Sequence, residues 1–69
     1  MKASELQVGQ KFRLTKDPAS LWQVTAWYGS MNIVKAICLN GPVLAKIKAN
    51  GYSVATPITI PVNSNVSLV

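Results

Sequence analysis

Leu21-Trp22-Gln23-Val24-Thr25-Ala26-Trp27-Tyr28, followed by Gly29-Ser30, is the stretch that decides the fold. Read two residues at a time, it puts Trp22, Val24, Ala26 and Tyr28 on one face and Gln23, Thr25 and Trp27 on the other. That period, in a run of β-branched and aromatic residues, specifies a strand. Gly29-Ser30 fits a II′ turn that sends the chain back.

The same grammar extends in both directions. Lys11–Lys16 alternates, with Phe12 and Leu14 inward and Lys11, Arg13 and Thr15 outward. Met31–Leu39 is a third apolar run. Val43, Ala45 and Ile47 oppose Leu44, Lys46 and Lys48, which predicts a fourth strand over Val43–Ala49. Asn50-Gly51 reads as a I′ hairpin turn leading into Tyr52–Ile60, and Val66–Val69 supplies a short last strand. Asp17-Pro18 marks a loop over Lys16–Ser20, and residues 1–8 form a turn or single helical turn. No segment shows a capped 3.6-residue apolar period.

The chain of 69 residues is therefore one all-β domain, 1–69. Short strands in meander order close best as a small SH3-like barrel of five to six short antiparallel strands, because closure removes aggregation-prone edges. An OB-fold is the alternative, but no segment reads as its helix. The run Leu6-Gln7-Val8-Gly9-Gln10-Lys11-Phe12-Arg13-Leu14 resembles the entry into the first strand of many SH3-like barrels. Ile60-Pro61-Val62-Asn63-Ser64-Asn65-Val66 resembles their final turn and strand. Small proteins of this look are often encoded by phages and other mobile elements.

Gly9–Arg13 followed by Trp22-Gln23 and Trp27-Tyr28 is similar to the plasmid-encoded type II dihydrofolate reductases, tetramers of SH3-like barrels around a shared pore. Their Val-Gln-Ile-Tyr signature aligns with Ile58-Thr59-Ile60-Pro61-Val62, so Ile58 and Ile60 stand where that family has its glutamine and tyrosine. The resemblance implies the fold and an oligomer, without the activity.

Composition narrows the function classes. The chain has no histidine, two acidic residues (Glu5 and Asp17) and one cysteine, Cys38. Enzymes draw acids, bases, nucleophiles and metal ligands mainly from those types, so no catalytic residue, cofactor or metal site is expected. A non-enzymatic binding or assembly module is the leading reading. The opposing one is an enzyme whose site forms only at an oligomer interface, as in the reductases. A purely structural phage or mobile-element component is the third. A lone cysteine in an apolar run packs as a small hydrophobe.

Hydrophobic residues make up 49% and charged residues 13%, well below the roughly 25% charged usual for soluble domains. A chain this small with so few charges gains from self-association, which makes a homo-oligomer the expected state. No leader is visible behind Met1-Lys2 and no run approaches a bilayer span, so no membrane partner and a cytoplasmic location are expected.

The net charge is +5. It favours an anionic partner such as nucleic acid, or else the lysines serve to keep strand edges soluble. Lys11, Arg13, Lys46 and Lys48 alternate outward from two predicted strands, and Lys35 extends the stripe. Trp27, on the outer face, is positioned to stack on a base or anchor a protein. The partner-binding set is thus Lys11, Arg13, Trp27, Lys35, Lys46 and Lys48. Ser20, Ser30, Asn32, Asn63, Ser64 and Asn65 are neutral polar groups available to a small-molecule pocket or to their own turns.

Overall fold

The computed structural model describes Met1–Val69 throughout. It contains a five-stranded antiparallel sheet and one short helix: β1 Lys11–Leu14, β2 Asp17–Tyr28, β3 Ile33–Asn40, α1 Pro42–Ala49, β4 Ile58–Pro61 and β5 Val66–Leu68. The strand order is β4-β3-β2-β1-β5. This all-β domain is compatible with an SH3-like fold. β5 lies beside β1 at one side and β4 beside β3 at the other, so the two outer strands do not pair.

Alternation becomes strand in β1, β2 and β3, where it delivers the core. Phe12, Trp22, Val24, Val34, Ala36, Cys38, Ile60 and Val66 are buried on one face, joined by Ala3 and Leu6 from the N-terminal segment. A single 3-10 turn, Ala3–Glu5, anchors that segment, and Ala3 and Ser4 donate backbone hydrogen bonds to the carbonyls of Ser64 and Val62. The predicted loop over Lys16–Ser20 is instead the start of β2, reached through the two-residue turn Thr15-Lys16. Gly29–Met31 is a 3-10 turn, with Asn32 left-handed at φ 53°.

The main correction concerns Val43–Ala49, which is helical and not a strand. Val43, Leu44 and Ile47 fall on one helical stripe and pack against the core. Pro42 stands in the first turn, where its missing N–H costs nothing. Asn50-Gly51 is the helix stop. Gly51 is left-handed (φ +79°), its N–H reaches the Lys48 carbonyl at 3.1 Å, and the Tyr52 N–H reaches Ile47 at 3.1 Å. That pair of bonds is a Schellman motif, which wants the same glycine that a I′ turn wants. Tyr52–Pro57 is consequently a connection, and only Ile58–Ile60 of the predicted fifth strand is formed, extended by Pro61.

The start of α1 is fixed from outside the helix. Gly41 has φ 107° and ψ −173°, a region essentially reserved for glycine, and it carries no capping side chain. The cap comes from β2, where Ser20 is fully buried and its Oγ accepts from the Val43 N–H at 3.4 Å. The two segments approach so closely that a Cβ on Gly41 would lie 2.5 Å from the Ala19 carbonyl oxygen.

Gly41→Ala is therefore expected to destabilise the domain by about 2–4 kcal/mol, combining a forbidden dihedral pair with overpacking. At Gly51 nothing lies within 4 Å of an added Cβ, so Gly51→Ala should cost only the left-handed penalty, about 1 kcal/mol. Urea unfolding followed by tryptophan fluorescence measures both, and equal losses would contradict the close-packed junction.

Candidate functional site

Strand register assigns each predicted binding residue to a face. Residues directly opposite in an antiparallel pair share a face. Lys11 opposes Gln23, which opposes Ile37, and Arg13 opposes Leu21 and Ser67. Lys35 opposes Ala26 and Thr59. All of these lie on the face away from the buried core, so Lys11, Arg13 and Lys35 share the outer face of the sheet. With strands about 4.8 Å apart and a rise of about 3.4 Å per residue, the diagonal from Arg13 through Lys11 to Lys35 spans roughly 17 Å.

Hydrogen bonds hold two of the three in place. Lys35 Nζ donates to Thr59 Oγ1 at 2.6 Å, across the β3–β4 pair. Arg13 Nη1 donates to the Pro18 carbonyl at 2.9 Å. Neither acidic side chain lies on this face. The Glu5 carboxylate accepts from the Lys2 N–H at 2.8 Å in the N-terminal turn, and Asp17, opposite the inward Leu14, lies 3.4 Å from the Ser20 hydroxyl. The outer face is thus a cationic diagonal crossing a half-buried apolar strip of Leu21, Ile37 and Leu39.

Lys46 and Lys48 do not belong to it. Both are exposed on α1, which packs through Val43, Leu44 and Ile47 on the core side of the sheet. The stripe of five cations inferred from alternation is two separate groups, because the segment bearing Lys46 and Lys48 is helical.

Trp27 is also moved. The β2–β3 register shifts between Val24 and Ala26, so one residue is added and parity inverts beyond it. Trp27 then opposes Val34, a core residue, at the end of the sheet, where it remains 42% exposed while Trp22 is 3% exposed. Its ring covers Gly29 closely enough that a Cβ there would fall within the ring. The aromatic that reaches the outer face is Tyr28, opposite Ile33 and 48% exposed. No sequence signal marks the bulge, so alternation alone assigns Trp27 and Tyr28 to the wrong faces.

Among the side chains of Ser20, Ser30, Asn32, Asn63, Ser64 and Asn65, only that of Ser20 is hydrogen-bonded internally. Ser20 caps α1, and the Asn63 carbonyl accepts from Lys2 Nζ at 3.3 Å. Ser64 and Asn65, with Leu14 and Lys16, line a cleft of about 110 Å³, well short of the roughly 300 Å³ at which ligand pockets begin. Ser30 and Asn32 are exposed at the β2–β3 turn. At the aligned reductase positions, Ile58 is half-buried and Ile60 buried, both on the core side.

No family model, curated protein or solved structure matches this chain. The likeness to type II dihydrofolate reductases and the phage or mobile-element origin gain no support from these comparisons. No helix is long and apolar enough to cross a membrane.

Cys38 is buried under the N-terminal turn of α1. Burial raises its pKa, with Asp17 adding to the rise and backbone hydrogen bonds at Asn40 and Leu44 opposing it. The folded chain holds this proton more tightly than the unfolded chain, so stability falls as pH rises through the unfolded thiol's range. Urea midpoints should therefore drop above about pH 8.5, and Cys38→Ala should remove that part of the drop. Ellman's reagent should label Cys38 slowly until denaturant is added.

Proposed function

We propose that this chain is a non-enzymatic binding module that engages an anionic partner, with nucleic acid as the concrete case, through the outer face of its sheet. The observation that carries the reading is that Lys11, Arg13 and Lys35 share one sheet face that holds neither acidic side chain. The rigid ladder fixes their spacing, and the hydrogen bonds of Arg13 and Lys35 pre-orient two of them. Tyr28 lies on the same face near Lys35 and offers a ring for stacking. Phosphate contacts from such a face give affinity without sequence preference.

Three phosphate contacts on a single strand imply a log–log salt slope of about −2, so binding should weaken about 16-fold between 50 and 200 mM salt. Fluorescence anisotropy of a labelled oligonucleotide tests this. The triple variant Lys11→Glu, Arg13→Glu, Lys35→Glu should abolish binding, whereas Lys46→Glu with Lys48→Glu should change it less than threefold. Equal losses from both sets would show that only net charge matters, and no binding by the parent chain would sink the reading.

Self-association is a second reading, favoured by Trp27, Tyr28 and Met31, all exposed together at the β2–β3 turn. Sedimentation of the parent and of Met31→Lys at equal concentrations should show assembly in the former alone.

A further inference from the structure

The inner strands of the sheet are not paired along their whole length, and an apolar groove runs beside one unpaired stretch of edge. β3 extends from Ile33 to Asn40, but β4 pairs only with Ile33–Ala36. Ile37–Asn40 is therefore an open ladder on that side, and no backbone hydrogen bond joins it to Tyr52–Pro57. The cause is in the sequence. Continuing the β4 register would bring Pro57 opposite Ile37, and proline has no N–H to give a ladder. The chain departs there, and the space it leaves is a groove of about 230 Å³ between the β3 edge, Leu44 and Lys48 of α1, and Val54-Ala55.

The outer strands β4 and β5 are protected, whereas the side of β2 toward β1 is open over Thr25–Tyr28 but has no groove beside it. β5 is three residues long, and the Val66 N–H is taken by the Met1 carbonyl at 2.8 Å. β4 is four residues long, ends in Pro61 and follows Pro57. Short strands and prolines are the usual ways of blunting an edge, and Ile37–Asn40 has neither; its one irregularity is a bulge at Leu39, where Leu21 opposes Asn40 and Trp22 opposes Cys38.

We infer that the free edge of β3 is a strand-addition site for an extended, apolar peptide segment flanked by acidic residues. In that mode the edge exchanges backbone hydrogen bonds with the incoming strand as far as the bulge at Leu39, and alternate side chains enter the groove. Ile37, Leu39, Leu44, Val54 and Ala55 give it an apolar lining, which selects β-branched or aliphatic residues. Charge decides between occupants. Lys48 lines the groove, Lys46 lies on the same helix, and no carboxylate lines it. A second copy docked here would bring a second Lys48 and another +5 charge against the first. An acidic flank meets the same groups favourably.

The probe is a capped, fluorescein-labelled peptide, Glu-Val-Thr-Val-Thr-Val-Glu, titrated into the full chain at low salt. Saturable binding is expected, with amide exchange of Ile37–Asn40 slowed on the peptide. Lys48→Glu should weaken the Glu-flanked peptide about fivefold and strengthen a Lys-flanked version, the range of a single exposed charge pair. A peptide N-methylated at alternate residues should not bind. The Lys11, Arg13, Lys35 triple variant should bind as the parent does, which separates this site from the polyanion face. Absence of binding by the Glu-flanked peptide would overturn the inference, as would slowed exchange elsewhere or indifference to Lys48→Glu. Slowed exchange of Ile37–Asn40 that grows with protein concentration without peptide would assign the edge to a second copy and overturn it equally.

Discussion

Everything on the core side of this sheet depends on the contact between Gly41 and Ser20. The buried set is small, and it needs Val43, Leu44 and Ile47 to cover it. Those side chains arrive only if the chain turns sharply out of β3 and starts a helix at once. Gly41 makes the turn with a dihedral pair closed to other residues, and Ser20 supplies the cap that Gly41 lacks. Because Ser20 sits on the central strand, the helix is fastened to the middle of the sheet. Without that fastening, the helix would have little to hold it, since eight residues are too few to be stable alone.

Much of this was legible in the sequence where one period applied without interruption. Phe12, Trp22, Val24 and Cys38 are buried as their alternation or apolar context implies, and a turn between Pro61 and Val66 falls within the Ile60–Val66 run that resembles one. Two features were not legible, for different reasons. Val43–Ala49 satisfies both periods, since apolar residues at 43, 44 and 47 form a helical stripe while 43, 45 and 47 alternate. The deciding cues were the flanks, Pro42 ahead and Gly51 behind, the pairing typical of helix starts and stops. The bulge near Thr25 carries no signal at all, because it arises from pairing with β3 and not from local preference.

These two features reshape the candidate surface. The helix removes Lys46 and Lys48 from the sheet, and the bulge exchanges Trp27 for Tyr28 on its outer side. What remains is a smaller but better defined arrangement, three cations held on a rigid ladder with no acid among them. A flat sheet face holds its groups at fixed separations and pays little ordering entropy on binding. The scarcity of carboxylates serves the same end, since Glu5 and Asp17 are each occupied close to their own backbone segments.

The seating of β5 between β1 and the N-terminal residues bears on how the molecule assembles. β2 and β3 are joined by a four-residue turn and can find one another by local search. Phe12, by contrast, gains its neighbour Leu68 only when the two ends of the chain meet, and Val66 also waits for Met1. Closing so long a loop must precede the burial that rewards it. The β2–β3 ribbon is therefore the natural seed, and the seam between the chain's two ends is the last part to close and the first to open.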